Sequence, residues 1–285
     1  MSYPSLVQIE TIVECTSNCK MCGMRKMTRS RGTMSWDLFQ KVIHDCSEFD
    51  VSIVCPFING EPLCDDRMIS MLWYIKRELP RASIGWFTNG LLLSKRIITE
   101  LAQIGTLERG IFNFGLHGGN SETYTQNTKV PWKDALEKLD LLVAVNTQLD
   151  TPFEIHVQMC DFSLTHDSIE DFRELCHQRG VQAHVCCFSN FGGLIHDEIG
   201  EAPFRDLEYM LCARSQTHIY VLWDGSVTTC CFDVNGVNTM GNVKEHTLRE
   251  IWESDRYQTF RQLHCDGRFS EIPVCRDCNS NRFGG

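Results

Sequence analysis

Short apolar runs alternate with amphipathic helical patterns over the first two thirds of this chain, and this alternation restricts the fold more than any other feature. The runs cover residues 6–14, 51–58, 83–87, 110–116, 153–159 and 181–188. Strands that alternate with helices indicate a parallel sheet with crossover helices. Polar, glycine-containing segments follow several runs, as at Asn59-Gly60 and Asn89-Gly90. Because the carboxyl ends of the strands build the active site in a (β/α) barrel, we expect functional residues in these segments.

Helix start and stop signals support this division. Ser35 and Ser94 are predicted N-caps, Gly105 is a predicted helix end, and Ser168 begins a helix that Gly180 ends. Further helical patterns cover residues 68–79 and 132–145. Taken with the six runs, these signals predict an α/β fold in which six strand units alternate with helices.

The pattern changes near residue 205. Residues 218–223 and 226–231 are short β-like runs separated by Asp224-Gly225, which is a strong hairpin signal. Thr247 and Glu250 form a predicted capping box that opens a helix to about Leu263. We therefore predict two domains, a barrel over residues 1–205 and a small α+β unit over residues 206–285.

Sixteen of the 285 residues are cysteine, although a chain of this length can build its own hydrophobic core. The start of the chain has no apolar secretory segment, and no stretch approaches the roughly 20 apolar residues of a membrane span. We therefore expect a cytoplasmic protein whose clustered cysteines bind metal or catalyse rather than form disulfides. The net charge of −10 argues against a nucleic-acid partner.

Three of these cysteines have the spacing Cys15-x3-Cys19-x2-Cys22, directly after the first predicted strand. Only a loop lets three thiolates so spaced converge, because a helix or a strand would separate them along its length. Iron–sulfur clusters usually take four thiolates, so three would leave one iron open to another ligand. The alternative is a structural zinc loop, although zinc sites normally combine two cysteine pairs.

At these cysteines the sequence resembles the radical SAM superfamily. The resemblance implies a partial (β/α)6 TIM-like barrel, a [4Fe–4S] cluster held by Cys15, Cys19 and Cys22, and S-adenosylmethionine on the open iron. It also implies reductive cleavage to a 5′-deoxyadenosyl radical, which abstracts hydrogen from a substrate, and an external one-electron donor of the flavodoxin or ferredoxin type. Met21 departs from the pattern, because the family often has an aromatic residue there.

The same resemblance assigns cofactor-binding roles at other strand ends. Gly60 and Glu61 match a segment after the second strand, where Glu61 would bind the methionine ammonium and Gly60 would permit close backbone approach. His117 lies where the family contacts the ribose. The other candidates lie at or near the ends of strands three, five and six: Asn89, Glu154, Gln158 and Asn190. The alternatives are ordinary turns and, for Glu154 and Gln158, an outward-facing position.

A second set of cysteines comprises Cys212, Cys230, Cys275 and Cys278. Four thiolates would complete a tetrahedral site for zinc or for a second [4Fe–4S] cluster. The order of hairpin, helix and CxxC pair resembles the SPASM extension in its smaller Twitch form, which implies one auxiliary [4Fe–4S] cluster. Cys231 and Cys265 are candidate catalytic hydrogen donors, as in radical SAM epimerases.

The two cysteine sets together predict oxidation of an alcohol, with the auxiliary cluster as electron acceptor. No Gly-x-Gly-x-x-Gly motif follows a predicted strand, so no nicotinamide site is indicated. The pattern resembles radical SAM dehydrogenases that act on an amino sugar or cyclitol, although Phe191 replaces an arginine that binds substrate there.

Three alternatives to this reaction stay open. The first is a radical SAM epimerase, and the second is an enzyme that modifies a ribosomally made peptide. Because only 14 residues precede Cys15, we expect no leader-peptide-binding domain, but peptide substrates remain compatible. The third is an electron-transfer or zinc-binding protein without catalysis.

Overall fold

The computed structural model describes residues 3–105, 107–195 and 211–279. In this part of the chain the strands are β1 (Leu6–Ile9), β2 (Ile53–Cys55), β3 (Ser83–Ile84), β4 (Phe87–Thr88), β5 (Ile111–Gly115), β6 (Glu154–Asp161), β7 (Gln182–Cys187), β8 (His218–Val221), β9 (Ser226–Thr228) and β10 (Thr239–Asn242). The helices are α1 (Trp36–Ser47), α2 (Met68–Glu78), α3 (Lys95–Ile104), α4 (Ser121–Thr128), α5 (Trp132–Asn146), α6 (Ile169–Gln178), α7 (Ala213–Thr217), α8 (Leu248–Glu253), α9 (Asp255–Cys265) and α10 (Pro273–Arg276).

The first seven strands form the wall of a partial barrel. β1, β2 and β3 pair in parallel, and so do β4, β5, β6 and β7, each with the next. Helices α1 to α6 connect these strands, and one main hydrophobic cluster fills the space between helices and sheet. The predicted α/β fold with a partial (β/α) barrel is confirmed.

The predicted strand over residues 83–87 is interrupted. β3 ends at Ile84 and β4 begins at Phe87. The chain passes very close to β2 here, since a Cβ atom on Gly85 would lie 2.3 Å from the Sγ atom of Cys55. The side-chain amide of Asn113 donates to the carbonyl of Trp86 at 2.9 Å, which satisfies a backbone acceptor at the break.

Helix ends follow the sequence signals closely. The Ser35 and Ser94 hydroxyls accept from the backbone N–H groups of Leu38 and Ile97, and the predicted capping box is present at α8. Gly105 ends α3 with a φ of 65°, the left-handed conformation that glycine adopts without strain. These predictions are confirmed.

Three elements differ from the sequence expectations. The strand predicted over residues 6–14 ends at Ile9, because the chain turns into the cysteine loop. The single helix expected to reach about Leu263 is divided into α8 and α9 by Ser254, whose extended φ/ψ ends the first helix while its hydroxyl caps the second. Helix α4 was not predicted, because it is polar and its signal is the capping box of Asn120 and Thr123.

The hairpin of the second region extends the barrel sheet. β8 pairs in parallel with β1, and β9 and β10 follow in antiparallel pairing. The predicted domain boundary near residue 205 lies outside the described residues. Among the described helices, none is long and apolar enough to cross a membrane.

Candidate functional site

The cysteine loop after β1 lines a cavity of about 540 Å³. Cys15, Cys19 and Cys22 all contribute to its wall. The loop is fixed by backbone hydrogen bonds to the end of α4, from Asn18 N to Thr128 O at 2.9 Å and from Lys20 N to Asn127 O at 3.0 Å. The three thiols are therefore held around one space by a loop, as the spacing predicted.

Gly60 brings the next strand end against this loop. The backbone N–H of Glu61 donates to the carbonyl of Glu14 at 2.7 Å. Gly60 has a φ of +109°, and a Cβ atom there would lie 2.7 Å from the Glu14 carbonyl oxygen and 2.8 Å from that of Ile12. Only glycine fits this approach, because both the torsion and the contact exclude a side chain.

The carboxylate of Glu61 is buried and closely hydrogen-bonded. It accepts from the Thr88 hydroxyl at 2.6 Å, from the Asn89 backbone N–H at 2.7 Å and from the Leu63 backbone N–H at 3.2 Å. Burial raises its pKa to about 6 although these hydrogen bonds favour the charged form. A buried carboxylate with a raised pKa is a suitable partner for a cationic ligand group.

Asn89 connects Glu61 to the cysteine loop. Its side-chain amide nitrogen lies 3.5 Å from the Sγ atom of Cys15 and donates to the Thr16 hydroxyl at 3.0 Å. The structure therefore brings together six of the predicted site residues: Cys15, Cys19, Cys22, Gly60, Glu61 and Asn89.

Two arginines also line the cavity and were not among the sequence candidates. Arg25 and Arg31 follow the third cysteine, and the Arg31 guanidinium donates to the Met24 carbonyl at 3.1 Å. Only their charge could have identified them from the sequence. Residues 20–31 include several lysines and arginines and no acidic residue, although the chain as a whole is acidic. Positive charge at this position would balance a cluster ligated by three thiolates.

His117 lies directly after β5. Its Nδ1 atom is buried and has no hydrogen-bond partner among the residues that the structure describes, and burial lowers its pKa to about 4. The Asn127 side chain, which belongs to the helix end that holds the cysteine loop, donates to the His117 carbonyl at 2.8 Å. The lowered pKa favours a neutral imidazole next to the loop, with one ring nitrogen that none of the described residues satisfies.

Asn190 was predicted to bind a cofactor, but its side chain is hydrogen-bonded to the C-terminal segment. Its side-chain amide donates to the Asp277 carbonyl at 2.6 Å, and its side-chain oxygen accepts from the Asn279 backbone N–H at 3.2 Å. The Asn279 side chain in turn accepts from the Asn190 backbone N–H at 2.9 Å. Through these three hydrogen bonds, Asn190 holds the segment after β7 against the C-terminal cysteine pair.

Glu154 also lies away from the cysteine loop. It is the first residue of β6, at the amino edge of the sheet, with an exposed side chain that bonds the Nε2 atom of His156 at 2.8 Å. Gln158 stands higher on the same strand and donates to the Sγ atom of Cys186 at 2.8 Å. The alternation of side chains along the strand correctly predicted that Glu154 and Gln158 share one face. It could not predict how far along the barrel axis each residue lies.

The second cysteine set converges in a narrow cavity between α7, β9 and α10. Cys212, Cys230, Cys275 and Cys278 all line it. His264 also lines this cavity, with its Nε2 atom 3.5 Å from the Sγ atom of Cys275. Within the described ranges, no three His, Cys, Asp or Glu side chains are arranged to chelate a single metal ion. Four thiols around one space match the number of thiolates that an iron–sulfur cluster usually takes.

The two candidate hydrogen donors have different surroundings. Cys231 follows Cys230 and lies beside the Tyr220 hydroxyl and the Arg214 guanidinium. Cys265 is the exposed last residue of α9. The structure does not bring Cys265 to the cysteine loop, because α9 packs on α7 and α8 and presents this end to solvent.

Phe191 lies between the two cysteine regions. A Cβ atom on Gly23 would lie 2.5 Å from its ring, and its ring centroid lies 5.1 Å from that of Phe232. Phe191 therefore packs against the residue after Cys22 on one side and against the loop after Cys230 on the other. At this position the chain therefore has an apolar contact, in keeping with the departure from the family pattern that the sequence shows at Phe191.

Two family models match the chain. The model described as the radical SAM superfamily matches residues 9–177, which is more than half of the chain. The model of SPASM, an iron–sulfur cluster-binding domain, matches residues 212–279. Both cysteine sets fall within these matches.

Two curated relatives align with nearly the whole chain. A cofactor-modifying protein for tungsten-containing aldehyde ferredoxin oxidoreductase from Pyrococcus furiosus is 24% identical, over 95% of this chain and 86% of its own length. An S-adenosyl-L-methionine-dependent 2-deoxy-scyllo-inosamine dehydrogenase from Niallia circulans is 22% identical, over 97% of this chain and 93% of its own length.

Solved structures share the fold. BtrN in complex with AdoMet and 2-DOIA has a TM-score of 0.69 at 20% identity, covering 98% of this chain and 95% of that one. Streptococcus suis SuiB bound to its precursor peptide SuiA has a TM-score of 0.72 at 14% identity, covering 92% of this chain and 67% of that one. Both small-molecule and peptide complexes thus occur on this fold.

Proposed function

The chain belongs to the radical SAM superfamily and carries a SPASM iron–sulfur domain, and from this premise we propose that it oxidises an alcohol carbon of a small polar substrate. It is a radical SAM enzyme, and its cofactors are S-adenosylmethionine, a [4Fe–4S] cluster and an auxiliary iron–sulfur cluster. The domains that we assign to these roles are residues 1–205 and 206–285.

We assign the catalytic cluster to Cys15, Cys19 and Cys22. This donor set fits, because it supplies three thiols around one cavity and leaves the fourth iron position to a ligand other than protein. When bound, this cluster and S-adenosylmethionine supply a 5′-deoxyadenosyl radical, and the auxiliary cluster supplies a one-electron acceptor. Glu61 would hold the methionine ammonium, because its buried carboxylate lies against the same loop.

We assign the auxiliary cluster to Cys212, Cys230, Cys275 and Cys278. These four side chains share one buried cavity. A cluster with four protein thiolates has no open position for substrate, so electron transfer is the role that remains to it. This closed four-thiol site, joined to the barrel through the β1–β8 pairing, is the observation that carries the proposal.

The proposed substrate is an amino sugar or a cyclitol. The dehydrogenase from Niallia circulans is named for an aminocyclitol, 2-deoxy-scyllo-inosamine. It aligns with nearly the whole of this chain, through both cysteine regions. Phe191 presents an apolar ring beside the cysteine loop, so we expect this chain to orient its substrate differently from a site with an arginine there. The proposed electron source is an external flavodoxin or ferredoxin.

Anaerobic turnover with 2-deoxy-scyllo-inosamine, other amino sugars and cyclitols, and model peptides tests this function. We expect a product that is two mass units lighter than an alcohol substrate, with 5′-deoxyadenosine formed alongside. A peptide product of unchanged mass with one solvent-derived hydrogen would instead indicate epimerisation. The likeness to SuiB bound to its precursor peptide makes modification of a peptide the second candidate.

The variant Cys275→Ala separates the two clusters. We expect it to retain cleavage of S-adenosylmethionine and to lose most ketone formation, because only the electron acceptor is damaged. Cys46→Ala, in a buried cysteine of α1 outside both sets, is the matched control. Liquid chromatography with mass spectrometry measures both products, and a full ketone yield from Cys275→Ala would contradict the proposal.

A further inference from the structure

Arg214 brings a positive charge into the wall of the cavity that contains the second cysteine set. It belongs to α7, two residues after Cys212, and it lines the cavity together with all four cysteines of that set. The remaining polar side chains of the wall are those of Ser215, Thr229 and His264. Among the described residues of this wall, only Arg214 has a permanent charge, because a guanidinium does not lose its proton in proteins.

The charge of Arg214 acts on thiols rather than on a carboxylate. Its guanidinium interacts electrostatically with Cys231, Cys230 and Cys212. Within the part of the chain that the structure describes, no carboxylate forms an ion pair with it. Because Arg214 is partly buried, solvent screens its charge less than it would at an open surface. A cation in such a place needs an anionic partner, and a cluster with thiolate ligands would supply one.

A series of contacts joins Arg214 to the first cysteine loop. The guanidinium carbon lies over the ring of Phe232, 5.2 Å from the ring centroid. Phe232 packs against Phe191 with ring centroids 5.1 Å apart, and Phe191 in turn packs against Gly23, the residue after Cys22. The cation therefore lies in a part of the wall that is connected by packed side chains to the loop of the proposed catalytic cluster.

We propose that Arg214 raises the reduction potential of the auxiliary cluster and so favours transfer of the substrate electron to it. This inference rests on the proposed function, which assigns that cluster to the second cysteine set. A [4Fe–4S] cluster with four thiolates is anionic, and reduction adds a further negative charge, which a fixed cation stabilises. In the balanced step, the carbon radical left by hydrogen abstraction loses one electron to the cluster and its hydroxyl proton to water, and a ketone remains.

One acidic side chain acts on the same site in the opposite direction. Asp233 interacts electrostatically with Cys275. Its carboxylate accepts from the Thr228 hydroxyl at 2.6 Å and from the backbone N–H groups of Val237 and Asn238, each at 2.9 Å. These hydrogen bonds hold a negative charge near the cluster site, and a negative charge disfavours reduction. The positive charge of Arg214 is therefore required to offset it.

The reduction potential of the auxiliary cluster tests the proposal directly. The background is the full-length protein with Cys15→Ala, Cys19→Ala and Cys22→Ala, reconstituted with iron and sulfide, in which only the auxiliary cluster can form. We expect Arg214→Met to reduce the equilibrium constant for reduction of this cluster about tenfold, which is about 59 mV for a one-electron couple. Anaerobic redox titration followed by electron paramagnetic resonance measures this potential. In the intact holoenzyme, the same variant should lower the ketone formed per 5′-deoxyadenosine.

Three further variants separate the charge of Arg214 from its packing. Arg214→Lys keeps the charge and should keep most of the potential, whereas Arg214→Gln is a second neutral variant and should match Arg214→Met. Arg249→Met is the matched control, because Arg249 also lies over an aromatic ring, that of Tyr3, but does not line the cavity. It should leave the potential unchanged. An unchanged potential in both neutral variants, or an equal decrease in Arg214→Lys, would overturn the role of the charge.

Failure of the proposed function would give a different result. If the background protein without the first three cysteines binds no iron–sulfur cluster, the assignment of the auxiliary cluster is wrong and the inference about Arg214 falls with it. If the cluster forms and its potential depends on the charge at Arg214, the inference holds. A holoenzyme with such a cluster that oxidises no alcohol would then contradict the dehydrogenase function alone.

Discussion

At the scale of single residues, Glu61 shows how a residue in a common turn motif can be positioned as a candidate binding group. In sequence, Gly60-Glu61-Pro62 is an ordinary turn signal. In the structure, the φ of Gly60 and its contact with Glu14 place the carboxylate beside the cysteine loop, where three hydrogen bonds hold it. The chemistry belongs to the side chain, but its location is set by backbone geometry.

We expect Glu61→Gln to weaken binding of S-adenosylmethionine to the reconstituted protein by about 10- to 100-fold. A charge-assisted hydrogen bond is worth about 1.5–3 kcal/mol, and the substitution removes the charge. Because burial raises the pKa of Glu61 to about 6, the wild-type affinity should fall as the pH drops below that value and the carboxylate becomes neutral.

Isothermal calorimetry at several pH values measures this effect. Glu122→Gln, in an exposed glutamate on α4, is the control and should leave the affinity unchanged. Equal affinities for wild type and Glu61→Gln across the pH range would remove Glu61 from the cofactor site.

At the scale of elements, the short helix α8 of the second region is stabilised by its N-terminal cap more than by its length. The six residues of α8 begin at a capping box in which Thr247 and Glu250 satisfy each other's backbone N–H groups. α8 carries the buried Ile251 and Trp252 into the main core. A helix this short is marginal by itself, so the cap and the packing fix it together.

We predict that Thr247→Ala lowers the free energy of unfolding by about 1 kcal/mol, because it removes the N-cap acceptor. Thr259→Ala, an exposed position within α9, is the matched control and should cost less, since alanine favours a helix interior. Urea unfolding of the metal-free protein, followed by circular dichroism, compares the two. Equal losses from both variants would show that the cap contributes nothing specific.

At the scale of the whole molecule, one buried carboxylate connects the cysteine loop, the Gly60 segment and the hairpin. Glu10 is fully buried and accepts from Arg29 at 2.5 Å, from Asn59 at 2.9 Å and from the backbone of Trp223 at 3.2 Å. Arg29 also donates to the Val234 carbonyl at 2.6 Å. This network fixes the loop of the first cluster relative to the region of the second.

We expect Glu10→Gln to destabilise the protein by about 3–5 kcal/mol, because it leaves the mostly buried Arg29 without its charge partner. The double variant Glu10→Gln/Arg29→Met should recover part of this loss. Glu271→Gln, which breaks the exposed pair with Arg268, is the control and should cost far less, because water and salt screen exposed charges. Chemical denaturation measures all three, and a double variant that is no more stable than Glu10→Gln would contradict the coupling.

The sequence by itself identified the two cysteine sets and most of the helix ends. Cysteine spacing identified two donor sets, since three thiols in a loop and a closing CxxC pair have few other uses. Period and caps located the barrel helices, because serine caps and glycine ends act within one turn of the chain. Each of these signals depends only on residues that are close together in the chain, so the sequence alone is enough to read it.

Only the tertiary structure decided which polar residues share a site. Glu154 and Asn190 satisfied the sequence pattern, yet one lies at the amino edge of β6 and the other is bonded to the C-terminal segment. Arg25 and Arg31 reach the cluster cavity without a motif. The height of a side chain in the barrel depends on strand register, and register is set by pairing between distant segments rather than by the residues of one strand.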